Sequence, residues 1–163
     1  MFNLFKSRPK NLFNENGLNE ILWKNKDSEG RHRIETLFLK KNGLLDGDFF
    51  YFQSPNDSPL STRYGDEKNL NYYLSSNNHN NLVYAFFVDG VISGKSYRVL
   101  EGIKYLEETY VAGNLVKSIK KKRKLIIPNS TVYGFDDEVK TYQFIDKKEG
   151  ELKKLIDDLL NKI

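Results

Sequence analysis

Apolar and polar residues alternate along most of this chain in short runs that stop at glycine. Ile21-Leu22-Trp23 begins the first run; Arg33 to Lys40 is the second, with Ile34, Thr36 and Phe38 on one face; Phe49-Phe50-Tyr51-Phe52 is the third. Side chains that change face at every residue read as strands. Leu82 to Val88 is the strongest apolar run and reads as a buried strand, with Ser96 to Leu100 as its hairpin partner. Tyr105 to Val111 and Leu115 to Lys120 form the next pair, and Leu125-Ile126-Ile127 extends that strand or starts another before Pro128 stops it. Thr131 to Phe135 and Val139 to Ile145 read as two further strands around Asp136-Asp137. The period changes only at the end. Leu152, Leu155, Ile156, Leu159, Leu160 and Ile163 fall on one helical stripe, with Lys153, Lys154, Asp157 and Asp158 outside it, which predicts an amphipathic helix over 150–163.

The strand-like runs meet at a recurrent tip. Its copies read Asn42-Gly43-Leu44-Leu45-Asp46-Gly47, Asp89-Gly90-Val91-Ile92-Ser93-Gly94 and Ala112-Gly113-Asn114-Leu115-Val116, with Asn16-Gly17-Leu18 as a weaker fourth. Gly and Asn accept the positive φ that tight hairpin turns demand. The glycines recur after 26, 47 and 23 residues, so the middle interval is about two repeats. A unit of that length cannot hide its apolar face alone and must stack on its neighbours. The expected fold is mainly β: a curved antiparallel sheet of successive hairpins with a C-terminal amphipathic helix. It forms a single domain over 1–163, with a lead-in at 1–15, the hairpin sheet at 16–145 and the helix at 150–163. An insertion at about 53–81 breaks the rhythm. Pro55 and Pro59 exclude regular pairing there, Leu70 to Leu74 suits a short helix or strand, and Ser75 to Asn81 holds four Asn and one His.

Composition narrows the function more than the fold. Eleven Phe and ten Tyr favour pleated surfaces, and the absence of Cys removes disulfides and thiolate metal sites. Met1 to Lys6 lacks the features of a secretion signal, and no apolar run approaches the roughly 18 residues that span a bilayer, so a cytoplasmic location is expected. Reactive constellations are absent from the text of the chain. There are two histidines, His32 and His79, and His32 is expected on a solvated strand face. No HExxH, phosphate-cradling loop or nucleophile elbow occurs. Glu107 and Glu108 are adjacent and would point to opposite faces of a strand. Asp136-Asp137-Glu138 supplies too few ligands for a calcium site. A non-enzymatic protein with no cofactor and no metal is therefore expected.

The net charge of +4 is concentrated in Lys117, Lys120, Lys121, Lys122, Arg123 and Lys124. Such a run can meet an acidic protein patch, neutralise nucleic-acid phosphates, lean on an anionic membrane, or simply keep a strand edge solvated. A nucleic-acid surface would add exposed aromatics, for which Tyr105, Tyr110 and Tyr133 are the candidates.

Phe38 to Phe52 resembles the MORN-like variant repeat, in which an aromatic-rich strand leads into Asn-Gly, then Lys-Leu or similar, His/Asp-Gly, an acidic residue and a second aromatic strand. Tyr84 to Tyr97 is similar in a more diverged form. Glu108 to Ile119 is a third copy in which Lys117 stands where the second glycine would fall. The resemblance implies an elongated sheet of hairpins and, for bacterial members, an immunity or antitoxin component acting on a cognate protein toxin. Partner contacts are then expected where the repeat is broken: Asn56, Arg63, Tyr64, Tyr72, Tyr73 and His79 in the insertion, and Lys120, Lys121, Lys122 and Arg123 in the basic run.

Overall fold

Nine strands and one helix follow one another in a computed structural model that describes residues 14–54, 58–61, 81–100, 102–125, 133–142 and 149–162, with side chains omitted at 122–125 and 133–142. The strands are β1 (Gly17–Leu22), β2 (Ile34–Lys41), β3 (Leu44–Phe52), β4 (Asn81–Val88), β5 (Val91–Ile92), β6 (Gly94–Leu100), β7 (Ile103–Val111), β8 (Asn114–Leu125) and β9 (Tyr133–Tyr142); the helix is α1 (Glu151–Asn161). All pairings are antiparallel and the spatial order follows the chain, β1-β2-β3-β4-β6-β7-β8-β9, with β5 paired to β4. The sheet is an open meander that does not close on itself. Chain neighbours are thus sheet neighbours, as a hairpin repeat requires.

Three two-residue turns set the register. Asn42-Gly43, Asp89-Gly90 and Ala112-Gly113 each place both residues at positive φ (51° and 78°, 48° and 84°, 49° and 84°). That geometry matches the twist of the flanking strands. Ala112 occupies the first position with a Cβ that disfavours it. Ala112→Asn is therefore expected to stabilise the protein by about 0.5–1 kcal/mol. Urea unfolding checks this, and an unchanged or lower midpoint would refute strain at the turn.

Each turn is also seated on the preceding unit. The Gly43 N–H donates to the Glu15 carbonyl at 2.9 Å, Gly90 N–H to Leu45 at 2.7 Å, and Gly113 N–H to Ile92 at 3.1 Å. In the first two seats the next side chain accepts as well, Asn16 Oδ1 from Asn42 N–H at 2.9 Å and Asp46 Oδ1 from Asp89 N–H at 3.1 Å. A positive-φ glycine follows each seat: Gly17, Gly47 and Gly94. Asn16-Gly17 is therefore not a fourth hairpin tip. It corresponds to Asp46-Gly47 and Ser93-Gly94, opens β1, and receives the first turn. The second glycines lie where the register slips by two residues, in β3 opposite Leu39 and between β5 and β6. In the third hairpin the slip at Thr109/Tyr110 is one residue, and Lys117 replaces the glycine.

Two other expectations need correction. The chain does not turn at Asp136-Asp137: β9, Tyr133–Tyr142, runs through them, with only a register shift where they oppose Lys121 to Arg123. His32 is half-buried, its carbonyl accepting the Ser61 N–H at 2.9 Å. The excursion after Phe52 returns at Asn81 to pair directly with the strand it left, Phe52 opposite Leu82.

Alternation gives the sheet two unlike faces. One carries Ile21, Phe38, Phe49, Val83, Ala85, Phe87, Ile92, Leu106, Tyr110 and Leu115, and packs against Leu152 and Ile156 of α1. Phe49 is fully buried, with ring centroids 6.3 Å from Phe38 and 5.9 Å from Phe87. The other face holds a smaller cluster, Ile34, Leu37, Phe52, Leu82 and Val99, toward the strand ends remote from the turns.

The N-terminus of α1 is capped by the sheet. Gly150, at the cap position, has no side chain to offer. Glu108 of β7 supplies the acceptors: Oε2 takes the Glu151 N–H at 3.1 Å and Oε1 the Leu152 N–H at 2.7 Å. The Tyr110 hydroxyl donates to Glu108 Oε1 at 2.7 Å and accepts the Lys153 N–H at 3.2 Å. Three N–H groups that a helix leaves orphaned are thereby satisfied in trans.

Candidate functional site

The face opposite α1 can be read strand by strand from the register. One row across it runs Glu20, Leu37, Phe50, Tyr84, Tyr97, Glu107, Ile119, each opposite the next. Its centre is aromatic. Phe50 and Tyr84 lie 5.2 Å apart between centroids, and Tyr84 and Tyr97 lie 4.9 Å apart. Lys104 Nζ sits 4.4 Å from the Tyr97 centroid, a cation–π contact. Glu107 binds the ammonium groups of Lys95 at 3.8 Å and Lys104 at 3.5 Å. Tyr84 donates its hydroxyl proton to Asp48 at 2.6 Å.

Nearer the turns this open face becomes apolar and exposed. Of the two residues after each turn glycine, the second (Leu45, Ile92, Leu115) packs into or against the core beneath the helix. The first stays outside, because the next side chain along a strand must face the other way. Leu44 is 51% exposed and Val91 45%; Val88, opposite Val91, is 46% exposed and Val111 59%. These positions adjoin one another. Leu44 Cδ2 lies 3.5 Å from where a Gly90 Cβ would stand, and Val91 Cγ1 lies 3.2 Å from the same point on Gly113. Phe86, 38% exposed, lies beside Val88 on that face.

Clefts also occur among the described residues. A hollow of about 230 Å³ between α1 and the Asp89-Gly90 turn has an apolar floor of Phe87, Ile92 and Ile156, and its rim charges, Lys153 and Asp157, pair with each other at 3.1 Å. A second, of about 310 Å³, is lined by Lys26, Arg31 and His32. Arg31 is already engaged there by Asp27 at 3.0 Å and Glu29 at 3.1 Å. Among the described residues no three His, Cys, Asp or Glu side chains gather as a metal site. No helix among them is long and apolar enough to cross a membrane.

The residues singled out from sequence are distributed as follows. Asn56, Arg63, Tyr64, Tyr72, Tyr73 and His79 lie outside the described residues. Strand alternation divides the basic run. Lys120, opposite Leu106, points to the helix side and pairs with Glu151 at 3.3 Å, whereas Lys121 falls on the open face opposite Glu138. Lys122 and Arg123 continue β8 across its register shift. Glu107 and Glu108 do face opposite ways, one binding lysines and the other capping the helix. Tyr110, a candidate for stacking on a base, is 1% exposed and belongs to the core. The exposed row was missed, although its signal was present: two apolar residues after a turn glycine cannot both be buried on one side of a strand.

The tyrosines give the two faces a common alkaline signature. Burial, the hydrogen bond to Asp48 and its charge push the Tyr84 phenol far above its ordinary pKa. Burial and the carboxylates of Asp48 and Glu107 raise Tyr97, and burial with the Glu108 hydrogen bond raises Tyr110 strongly. An unfolded chain releases these protons near pH 10 and the folded one later. Their stabilisation is complete below about pH 10 and declines as the pH rises above it. Ultraviolet titration of the native protein is expected to show at least three phenols ionising late, with unfolding free energy falling over the same range. A single transition near pH 10 for all ten tyrosines would contradict this.

No family model, curated protein or solved structure matches this chain.

Proposed function

We propose that this protein is a non-enzymatic, cytoplasmic binding module that holds another protein against the open face of its sheet, as an immunity or antitoxin component does when it sterically blocks a toxin. The observation that carries the reading is the contiguous exposed row of Leu44, Val88, Val91 and Val111 on a face pinned by hydrogen-bonded turns. Contiguous apolar surface on a rigid scaffold supports association, because burying it against a partner releases water without a large ordering cost. The toxin-directed form of the reading rests on the repeat resemblance of Phe38 to Phe52.

Co-expression with the product of the adjacent reading frame tests it. Growth arrest by that product, relieved by this chain, together with a complex in size-exclusion chromatography, is the expected result. The absence of both growth relief and a complex would overturn the antitoxin reading.

A further inference from the structure

The first hairpin tip carries a reactive dipeptide that the other two lack. Asn42-Gly43 stands where the second tip has Asp89-Gly90 and the third Ala112-Gly113. An asparagine amide followed by glycine can cyclise, because glycine has no side chain to shield its nitrogen. The Gly43 nitrogen attacks the Asn42 side-chain carbonyl carbon, and a new C–N bond closes a succinimide. The bond to the side-chain nitrogen breaks, and that nitrogen takes the Gly43 proton and leaves as ammonia. Water then opens the ring at either carbonyl, giving Asp or isoAsp.

Asn42 is exposed, so water and base reach it. The attacking nitrogen, however, is held. Its N–H donates to the Glu15 carbonyl at 2.9 Å, and the Asn42 N–H donates to Asn16 Oδ1 at 2.9 Å. The first bond keeps the proton that the reaction must remove, and the second fixes the turn on its seat. The next repeat shows what the product would meet. Asp46 and Asp89 take the places of Asn16 and Asn42, with the same hydrogen bond between them at 3.1 Å and φ 48° at Asp89 against 51° at Asn42. An Asp at position 42 therefore keeps the turn. IsoAsp adds a carbon to the main chain of a turn whose two residues set the register.

We propose that Asn42-Gly43 is a deamidation site kept closed by its seat on Glu15 and Asn16, and converted to Asp or isoAsp when the first turn lifts from that seat. Local opening of the turn, and not global unfolding, then sets the rate in the folded chain.

Peptide mapping by mass spectrometry of the full chain, held at mildly alkaline pH with and without urea, tests this. Conversion at Asn42 is expected to be about tenfold slower or more in the folded chain than in the urea-unfolded one. Asn16→Ala removes the acceptor of the Asn42 N–H. It is expected to speed conversion in the folded chain and to leave the rate in urea unchanged. Asn16→Asp restores an acceptor, as Asp46 provides one to Asp89, and should return the folded rate to that of the parent. Asn42→Asp should unfold at the parent's urea midpoint, and chains isolated with isoAsp at position 42 at a lower one. The proposal is overturned if Asn42 resists conversion in urea, or if folded and unfolded chains convert alike. It is equally overturned if folded Asn16→Ala converts no faster than the parent, if Asn16→Asp converts as fast as Asn16→Ala, or if the isoAsp chains are as stable as the Asp ones. Should Asn16→Ala lose its fold, the parent chain in and out of urea still decides.

Discussion

Glu108→Ala is expected to lower the unfolding free energy by about 3–5 kcal/mol, because it leaves the Glu151 and Leu152 N–H groups and the Tyr110 hydroxyl without their acceptor. Each orphaned buried donor costs about 1–3 kcal/mol, and that end of the helix loses two of its hydrogen bonds to the sheet. The effect should be visible as loss of helical signal ahead of the sheet during urea unfolding. Gly150→Ala attacks the same joint from the other side. Its new Cβ would stand 2.5 Å from the Tyr110 hydroxyl and 2.7 Å from Glu108 Oε2, so something must shift. Gly150 has φ −118°, which any residue adopts, so the clash alone sets the cost, about 1–3 kcal/mol. Removing Glu108 relieves part of that clash. The two changes should therefore cost less together than the sum of each alone, by about 1 kcal/mol. Strict additivity would show that Glu108 does not hold the helix.

Phe49→Ala is expected to cost a similar amount, about 3–5 kcal/mol, through lost apolar transfer and the cavity left between Phe38 and Phe87. Phe49 is fully buried at the centre of the helix-covered face. Leu44→Ala, also in β3 but 51% exposed, should change stability by no more than about 0.5 kcal/mol. Chemical denaturation of the pair checks which face is which. Equal losses at the two positions would mean that the open face is covered by something.

Particular residues show how far the sequence could be read. Gly43, Gly90 and Gly113 announced three hairpins, because few residues tolerate positive φ and a two-residue turn leaves the strands only one way to pair. The stripe from Leu152 announced α1 for a similarly local reason. Asn16-Gly17 was misread because the same dipeptide serves as tip or as seat, and only the hydrogen bond from Asn42 to Asn16, 26 residues away, separates them. Asp136-Asp137 looked like a turn because acids favour turns, yet pairing with β8 overrides that preference. The basic run read as one patch, but alternation sends Lys120 and Lys121 to opposite faces.

By itself, then, the order of residues determined the hairpins, their succession and the terminal helix. Those depend on local φ preference and on apolar periods of two and 3.6, which are properties of neighbours in the chain. Tertiary structure alone decided which face α1 covers, that a strand glutamate caps it, and that Leu44, Val88, Val91 and Val111 are left outside together. Each of those outcomes joins residues far apart in sequence, and their energy exists only once the sheet has brought them within reach.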